Sequence, residues 1–565
     1  MLAAIVILIG VVVVSKVLRH MLAVVVMSMA VVFAFAIAPG TARAADTGAI
    51  TVDGTVATRY DAYQLFSATV VDDADADQKV ATDVAWANDT VRQAALPVLH
   101  DAGLDNSAST AQEAAEWMNA DGHMTTTLAA KLARAIYNAG APSVALNAGT
   151  TAELPCGYWL IVADDDAISQ GEAGTAPIMA LVGGSAVTVK PKAATPKVSK
   201  HVLEDSAAAW QKAADATVAD DLYWRLSATV PAGLTAYDTY TVRFVDTMSA
   251  GLDPSKVAAS MRVYVAAGAD GGFDAVQTDK DGRVGTEPAK GWTDITAQCK
   301  VSVDGNTFTV RTGDLIAALG GADAFTAGAR VVAVYNAPLN SACNHGIAKG
   351  NPNEAYLRYP RSPFADQSGD AGFTRTPSDD ACAYTWDLAL TKRGSDGDKP
   401  LAGAVLSIAD DRGRTLAADG TWDAEGKATV TTGEDGRVTV SGVDSGKLEV
   451  RELKAPKGYT AFEGTRSVTV KVEGLDVDQV AAAKPKLTIT AESPLRADSA
   501  DGSTGSLEAS LINTPTGTPP SITTGGFMPS TGDMAMYAAA AAAVAGAALI
   551  VVALLVKRGG GSHKE

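Results

Sequence analysis

Two apolar runs stand at the ends of the chain, and shorter alternating segments lie between them. The N-terminal run covers residues 2–38 and is interrupted by three basic side chains, Lys16, Arg19 and His20. The small segment Ala42-Arg43-Ala44 follows it. Basic residues, an apolar core and an A-x-A site predict a secretory signal peptide within residues 1–45.

The first part of this run exceeds what a signal peptide needs, because Met21–Ala38 alone is a sufficient apolar core. We therefore expect translation to start near Val14 and cleavage to follow Ala44 or Ala45. The alternative is that Leu2–Val14 forms an additional membrane segment.

The C-terminal run, Met534–Val556, is long enough to cross a bilayer. Lys557 and Arg558 come directly after it and predict that the end of the chain stays on the cytoplasmic side.

Between the two runs, short alternating segments bounded by Gly and Asp predict strands. Examples are Tyr158–Val162, Tyr240–Val245, Arg330–Tyr335, Lys427–Thr431 and Arg437–Val440. Thr125–Tyr137 instead places apolar residues at helical spacing. We predict a mainly β fold of tandem immunoglobulin-like β-sandwich domains with a partly helical N-terminal domain.

Two segments rich in proline, at 190–197 and 514–526, predict linkers. The expected order is a signal-peptide region (1–45), an N-terminal domain (46–190), a middle sandwich (191–380), a third sandwich (381–514), a stalk (515–527) and a C-terminal anchoring segment (528–565).

The amino-acid composition argues against two classes of protein. With 64 acidic and 46 basic residues the net charge is −18, which argues against nucleic-acid binding. Four cysteines are too few for a disulfide scaffold. A bridge among Cys299, Cys343 and Cys382 remains open, since sequence cannot choose the pair.

Signatures of common enzymes and metal sites are missing. The chain contains no H-E-x-x-H, G-x-S-x-G, P-loop or C-x-x-C motif. Asp73, Asp75 and Asp77 imitate a calcium loop, but Gln78 and Val84 replace its Gly and Glu. We therefore predict a protein that is not a turnover enzyme and has neither cofactor nor metal; a secreted enzyme is the disfavoured alternative.

A pentapeptide stands immediately before the C-terminal apolar run: Met528, Pro529, Ser530, Thr531 and Gly532. It resembles the L-P-x-T-G sorting signal of Gram-positive surface proteins, with Met in place of Leu. The resemblance implies that a sortase cuts between Thr531 and Gly532, and that the secreted protein becomes attached to the cell wall.

The third domain carries a second resemblance. Leu448–Tyr459 contains Glu452 and then A-P-K-G-Y, similar to the E-box of the collagen-adhesin B-type domains of Gram-positive pilins, although Leu448, Val450 and Leu453 depart from it. The resemblance implies that the amine of Lys392, on the first strand, bonds to the side chain of Asn513, on the last strand, with Glu452 as the promoting acid.

The middle domain resembles A-type pilin domains at three segments, Pro196–Val202, Tyr240–Leu252 and Gly350–Tyr359. By this resemblance Lys200 is the nucleophile, Asp246 the acid and Asn353 the acceptor, with Asn351 as the alternative acceptor.

The chemistry is coherent in both domains. Burial lowers the pKa of a lysine and raises that of a carboxyl group. A neutral amine can then attack the Asn carbonyl carbon while the protonated acid polarises the amide oxygen, and ammonia leaves. The alternative is a buried ion pair without a bond.

Val187–Lys192 resembles the W-x-x-x-V-x-V-Y-P-K motif of pilin shaft subunits, with Lys190 for Tyr and Gly183 for Trp. The resemblance implies that Lys192 accepts the Thr531 carbonyl of the next subunit; the alternative is an ordinary basic linker. Lys200 is not expected to accept the Thr531 carbonyl, because its apolar neighbours at 198 and 202 predict that it is buried.

Together these resemblances imply a structural subunit of a covalent pilus (fimbrium) at the cell surface. The implied partners are pilin-type and housekeeping sortases, other pilin subunits and peptidoglycan. The alternative is a monomeric wall-anchored adhesin, or a minor pilin at the tip or base, that binds a host matrix or glycan ligand.

Overall fold

A computed structural model describes residues 46–73, 78–120, 122–169, 171–174, 176–191, 195–231, 234–268 and 291–517. The predicted signal peptide, Lys192, the sorting motif and the C-terminal apolar run lie outside these ranges. Within them, no helix is both long and apolar enough to cross a membrane.

The first domain combines two small sheets with helices. Its strands are β1 (Thr47–Val52), β2 (Arg59–Asp73), β3 (Gln78–Trp86), β4 (Val144–Asn147), β5 (Thr151–Pro155), β6 (Gly157–Ala163), β7 (Ile178–Val182) and β8 (Val187–Val189). One sheet has the order β5-β1-β8; the other has the order β3-β2-β6-β7, with β4 also on β2.

Its helices are α1 (Asp89–Asp101), α2 (Ala111–Asn119) and α3 (Thr126–Asn138). The side chain of Asn88 caps α1 and Thr110 forms a capping box with Glu113 at the start of α2. The predicted helix at 125–137 is confirmed as α3, which buries Leu128, Leu132 and Ile136.

The middle domain has two facing sheets. Its strands are β9 (Val198–Glu204), β10 (Ala209–Gln211), β11 (Ala213–Asp215), β12 (Tyr223–Thr229), β13 (Arg243–Met248), β14 (Arg262–Ala266), β15 (Thr293–Asp294), β16 (Lys300–Asp304), β17 (Thr307–Arg311), β18 (Arg330–Asn336), β19 (Asn351–Pro360), β20 (Phe373–Arg375) and β21 (Asp379–Tyr384); short helices α4 (Val257–Ser260) and α5 (Leu315–Ala318) join some of them. The sheet orders are β10-β9-β12-β18-β14-β15 and β11-β21-β19-β13-β17-β16, with β20 on β19.

The third domain is again a pair of sheets. Its strands are β22 (Trp386–Gly394), β23 (Val405–Ala409), β24 (Thr415–Leu416), β25 (Trp422–Asp423), β26 (Val430–Thr431), β27 (Arg437–Val443), β28 (Gly446–Lys454), β29 (Tyr459–Thr460), β30 (Thr465–Glu473), β31 (Lys486–Ala491), β32 (Leu495–Asp501) and β33 (Ser506–Pro515). The orders are β27-β22-β33-β29, with β32 on β33, and β25-β24-β23-β28-β30-β31, with β26 on β23.

These sheets confirm the predicted mainly β fold with a partly helical N-terminal domain. Each sandwich buries the apolar side of its strands in a common core, and Trp224 and Trp386 are among the largest fully buried side chains. Strand β21, which spans the predicted boundary at residue 380, pairs with β19 and thus completes the middle sheet.

Two predicted strands are shorter than the alternation suggests. The strand predicted from Tyr240 begins at Arg243, because side chains of Asp314, Gln367 and Thr312 accept the N–H groups of residues 240–242. The strand predicted at 427–431 is reduced to Val430–Thr431, since one carboxylate oxygen of Asp423 accepts the N–H groups of residues 427 and 428.

The cysteines are free thiols. Cys156, Cys343 and Cys382 are buried and Cys299 is half-buried. The sulfur atoms of the three candidates have separate partners, at Ile295, His345 and Ala383. The disulfide that the sequence left open is therefore absent from the described structure.

Candidate functional site

The middle domain brings its predicted site residues together across the sandwich. Lys200 lies on β9, opposite Leu226 of β12 in one sheet. Asp246 lies on β13 and Asn353 on β19 in the other sheet, two strands that pair directly. Because β19 buries every second residue, Asn353 faces the core, as does the side chain of Lys200.

A tyrosine connects all three. Lys200 Nζ pairs with Asp246 Oδ2 and donates to Tyr335 Oη at 2.8 Å. Tyr335 Oη donates to Asp246 Oδ2 at 2.9 Å and accepts from Asn353 Nδ2 at 2.9 Å. The four side chains are fully buried. Within the described residues, Asp246 Oδ1 and Asn353 Oδ1 have no hydrogen-bond partner.

Burial dominates the electrostatics of this group. It lowers the pKa of Lys200 to about 8, although the charge of Asp246 acts in the opposite direction. It also raises the pKa of Asp246, against the effect of Lys200. Both shifts bring the neutral pair, amine and carboxylic acid, closer in free energy to the ion pair. The ring centroids of Trp224 and Tyr335 lie 5.4 and 5.3 Å from Lys200 Nζ, at cation–π distance.

Asn351, the alternative acceptor, is also buried but is occupied elsewhere. Its Oδ1 accepts the N–H of Asn344 at 2.8 Å, and its Nδ2 donates to the carbonyls of Asn344 and Ala383. Asn351 therefore anchors a loop, and the structure brings Asn353 to the Lys200 network.

The third domain places its residues differently. Strands β22 and β33 are parallel neighbours, so that Lys392 lies opposite Leu511 and Asn513 lies opposite Gly394. Glu452 reaches them from β28 in the facing sheet. The lysine and the asparagine thus stand side by side on the first and last strands.

Glu452 contacts both partners. Its Oε1 lies 3.7 Å from Lys392 Nζ, and its two carboxylate oxygens accept from Asn513 Nδ2 at 2.9 and 3.1 Å. The backbone N–H of Phe462 also donates to Glu452. Lys392 Nζ donates to the carbonyl of Leu511 at 3.2 Å, and Asn513 Oδ1 has no partner in the described part of the chain.

Burial lowers the pKa of Lys392 to about 8, with Glu452 opposing the shift. The backbone of Lys392 is fixed by Gly436, which accepts its N–H at 2.8 Å and has φ of 72°. A Cβ at residue 436 would lie 2.9 Å from the Lys392 carbonyl oxygen, so only glycine fits this approach.

One expectation differs from the observed contacts. The family resemblance implies that the acid contacts the oxygen of the acceptor amide. Instead, the amide nitrogen faces Glu452 directly in the third domain and reaches Asp246 through Tyr335 in the middle domain. The reason is that the oxygen atom facing each asparagine acts as an acceptor. Glu452 Oε1 accepts in the third domain, and in the middle domain the Tyr335 hydroxyl group gives its own proton to Asp246, so that its oxygen accepts from the amide.

Lys192 lies outside the described residues, but the structure describes the chain up to residue 191 and again from residue 195. Val189 pairs with Val52 of β1, and Lys190 lies 3.4 Å from Asp53 with both side chains largely exposed. Pro191 packs against Gly54, where an added Cβ would come within 3.0 Å of the proline ring. The segment is thus held at the edge of the first domain up to residue 191. Lys200, by contrast, is completely buried, as predicted.

Sequence reasoning missed Tyr335. It closes the predicted strand Arg330–Tyr335 and has the alternation of an ordinary core residue. Only the position of its hydroxyl group between Lys200, Asp246 and Asn353 distinguishes it, and that depends on strands from both sheets.

Comparisons with known proteins show which parts of this chain are similar to other proteins. Residues 387–484 match the family of SpaA prealbumin-like fold domains. Over 143 residues the chain is 31% identical to the trypsin-resistant surface T6 protein of Streptococcus pyogenes serotype M6, a match that covers 24% of each protein. The chain thus spans about a quarter of that relative's length.

Two solved structures are similar at lower sequence identity. The T6 backbone pilin of serotype M6 Streptococcus pyogenes is 16% identical, with a TM-score of 0.46 over 85% of this chain and 100% of that one. The full-length major pilin SpaD from Corynebacterium diphtheriae is 15% identical, with a TM-score of 0.40 over 83% and 98%. Part of the third domain is thus similar to SpaA prealbumin-like fold domains, and about a quarter of the chain is similar to a streptococcal surface protein.

Proposed function

We propose that this protein is a structural subunit of a covalent cell-surface pilus and that each of its two sandwiches is closed by an intramolecular Lys–Asn isopeptide bond. The observation that carries the proposal is the presence, in two separate domains, of a buried lysine, carboxyl group and asparagine in contact. A buried ion pair alone gives no reason for an asparagine whose carbonyl oxygen has no partner within the described structure.

The bond in the middle domain forms in balanced steps. A proton passes from Lys200 Nζ to Asp246, and burial favours this transfer. The neutral amine attacks the Cγ atom of Asn353, forming the new C–N bond. The C–Nδ2 bond then breaks as the nitrogen takes a proton from Asp246 through the Tyr335 hydroxyl group. As ammonia leaves, the former lysine nitrogen gives its extra proton to the Asp246 carboxylate. Asp246 then passes this proton to the departing ammonia, so that the products are the amide, an ammonium ion and the carboxylate.

In the third domain Glu452 performs both transfers directly, because its carboxyl group lies near Lys392 and accepts from the leaving nitrogen of Asn513. Each reaction occurs once per chain, so the protein modifies itself and does not act as a turnover enzyme.

The position of these bonds suits a fibre under tension. A pull on the two ends of the third domain shears β22 against β33, since these parallel neighbours are its first and last strands. The Lys392–Asn513 bond carries that load between them. The roughly 120 residues of the loop it closes are then protected from extension, as in a loop closed by a disulfide.

Assembly uses the C-terminal sorting motif of one subunit and Lys192 of the next. A sortase cleaves after Thr531, and Lys192 of the next subunit takes the Thr531 carbonyl; a housekeeping sortase transfers the last subunit to peptidoglycan. The support for Lys192 is the motif resemblance and the held segment before it, in which Lys190 faces Asp53. The protein is accordingly secreted and anchored to the cell wall.

An SDS gel of cell-wall extracts tests the polymer. We expect the unmodified protein to give a ladder of covalent multimers and Lys192→Arg to give monomer, because Arg keeps the charge but stays protonated and cannot act as the nucleophile. Lys190→Arg is the matched control and should keep the ladder. A ladder that persists in Lys192→Arg moves the acceptor to another lysine. A single wall-linked species in the unmodified strain supports the monomeric adhesin instead.

A further inference from the structure

Strand β9 carries Lys200, and its pairing with β10 ends before it reaches Lys200. Strand β10 pairs with Val202–Glu204 and ends at Gln211. The same antiparallel register would place residue 213 opposite Lys200. Instead the chain crosses to the other sheet, where Ala213–Asp215 form β11 beside β21. The N–H and C=O groups of Lys200 on that side are therefore left without a strand, and buried backbone groups require partners.

Two side chains supply those partners. Asp379 Oδ2 accepts the N–H of Lys200 at 2.7 Å, and Lys212 Nζ donates to its carbonyl oxygen at 2.9 Å. Lys212 Nζ also pairs with Asp379 Oδ2 and donates to the carbonyl of Asp380 at 3.1 Å. Lys212 is buried, and its three contacts use all three of its protons.

This pair joins the nucleophile to the acceptor strand. Asp379 lies on β21 opposite Ala355 of β19, and Ala381 lies opposite Asn353. Through Lys212 and Asp379, the backbone of Lys200 is therefore connected to β21, which is the neighbour of the strand that carries Asn353.

We propose that Lys212 and Asp379 are positioning residues for the Lys200–Asn353 bond, holding the amine within reach of the acceptor amide. The inference rests on the proposed isopeptide chemistry. Neither residue touches Asn353, so both act through the backbone of Lys200. A displacement of about 1 Å at a reacting atom can cost a hundredfold in rate, which sets the expected scale.

The charge of Lys212 gives a second measurable effect, on the pKa of Lys200. The ionisable groups that face Lys200 are Asp246, Tyr335, Asp379 and Lys212. Burial is the main cause of the lowered pKa of Lys200, and the positive charge of Lys212 lowers it further. Loss of that charge should raise the pKa of Lys200, so that the neutral amine forms only at higher pH.

The test follows bond formation in the full chain, synthesised in a cell-free reaction and sampled over time at several pH values. Peptide mass spectrometry measures the linked and unlinked forms at each site. We expect Lys212→Met and Asp379→Asn to slow the Lys200–Asn353 linkage about tenfold or more. The pH–rate profile of Lys212→Met should move to higher pH, and Lys212→Arg should restore part of the rate.

Two controls separate positioning from general destabilisation. The Lys392–Asn513 linkage in the same molecules should form at an unchanged rate. Arg243→Met removes another buried cation of the middle domain, one that pairs with Asp370 and donates to the carbonyl of Gly369, and it should leave both linkages unchanged.

Wild-type linkage rates in Lys212→Met and Asp379→Asn, or equal slowing in Arg243→Met, would overturn the inference. If Lys212→Met fails to fold, Asp379→Asn decides alone. Absence of both linkages from the unmodified chain would instead reject the proposed bonds themselves, and the positioning role with them.

Discussion

Replacement of Glu452 by glutamine tests the third-domain chemistry with the smallest change of shape. Glutamine can occupy the same space between Lys392 and Asn513, but it can neither take a proton from the amine nor return one to the leaving nitrogen. We expect Glu452→Gln to fold without the Lys392–Asn513 bond. Glu449→Gln is the matched control on the same strand, because Glu449 is half-exposed and pairs with the surface residue Lys447.

The magnitude follows from the loop that the bond closes. Treated as a cross-link over about 120 residues, it removes roughly 5 kcal/mol of unfolded-state entropy. For a domain of about 130 residues this corresponds to a fall in Tm of roughly 15–20 °C when the bond is absent. The loss should be confined to the third domain, since the Lys200–Asn353 site lies in a different core.

Intact mass spectrometry and calorimetry of the purified ectodomain measure both effects. Two bonds predict a deficit of about 34 Da in the unmodified protein, since each releases one ammonia of about 17 Da. After correction for the substitution itself, Glu452→Gln should retain one ammonia and lose only the third-domain stabilisation. The same deficit of about 34 Da in Glu452→Gln would refute the role of the acid, and no deficit in the unmodified protein would refute both bonds.

Three further predictions concern the same sites. Asn353→Ala should add back one ammonia to the mass of the ectodomain, whereas Asn351→Ala should keep the bond and only lower Tm; the reverse result would exchange their roles. Tyr335→Phe should slow the middle-domain linkage measured by peptide mass spectrometry, because the leaving nitrogen then lacks its path to the acid, and an unchanged rate would remove the tyrosine from the mechanism. In Asn513→Ala, Lys392 remains an amine whose pKa is lowered by burial to about 8 when folded, against about 10.4 when unfolded. The unfolded chain then binds more protons between these values, so the free energy of unfolding should rise with pH from about 8 to about 10.4; denaturant titrations that show it constant or falling would contradict the depressed pKa.

The sequence predicts the strand-rich architecture well because alternation reports burial directly. It overestimates the strands at Tyr240 and Lys427, where side chains accept the backbone N–H groups. The partner of Tyr240 is the distant residue Asp314, whereas the partner of Lys427 is the nearby Asp423; hydrophobic alternation reports neither hydrogen bond.

The site is predictable to the extent that local motifs mark it. Glu452 can be predicted because the segment A-P-K-G-Y follows it in the sequence. Asn351 and Asn353 share a face of one strand, so a period of two cannot separate them, and only their three-dimensional contacts do. The contributions of Tyr335 and Lys212 arise where elements of both sheets meet, and their sequence surroundings are those of ordinary β segments.

The measurement that tests the central proposal most directly is peptide mapping of wall-derived material from the native host. We expect a branched peptide in which the Thr531 carbonyl is joined to the Lys192 amine, recovered from high-molecular-weight multimers. Recovery of Thr531 joined only to peptidoglycan, with Lys192 in an unmodified peptide throughout, would contradict the pilus subunit and identify a wall-anchored monomer.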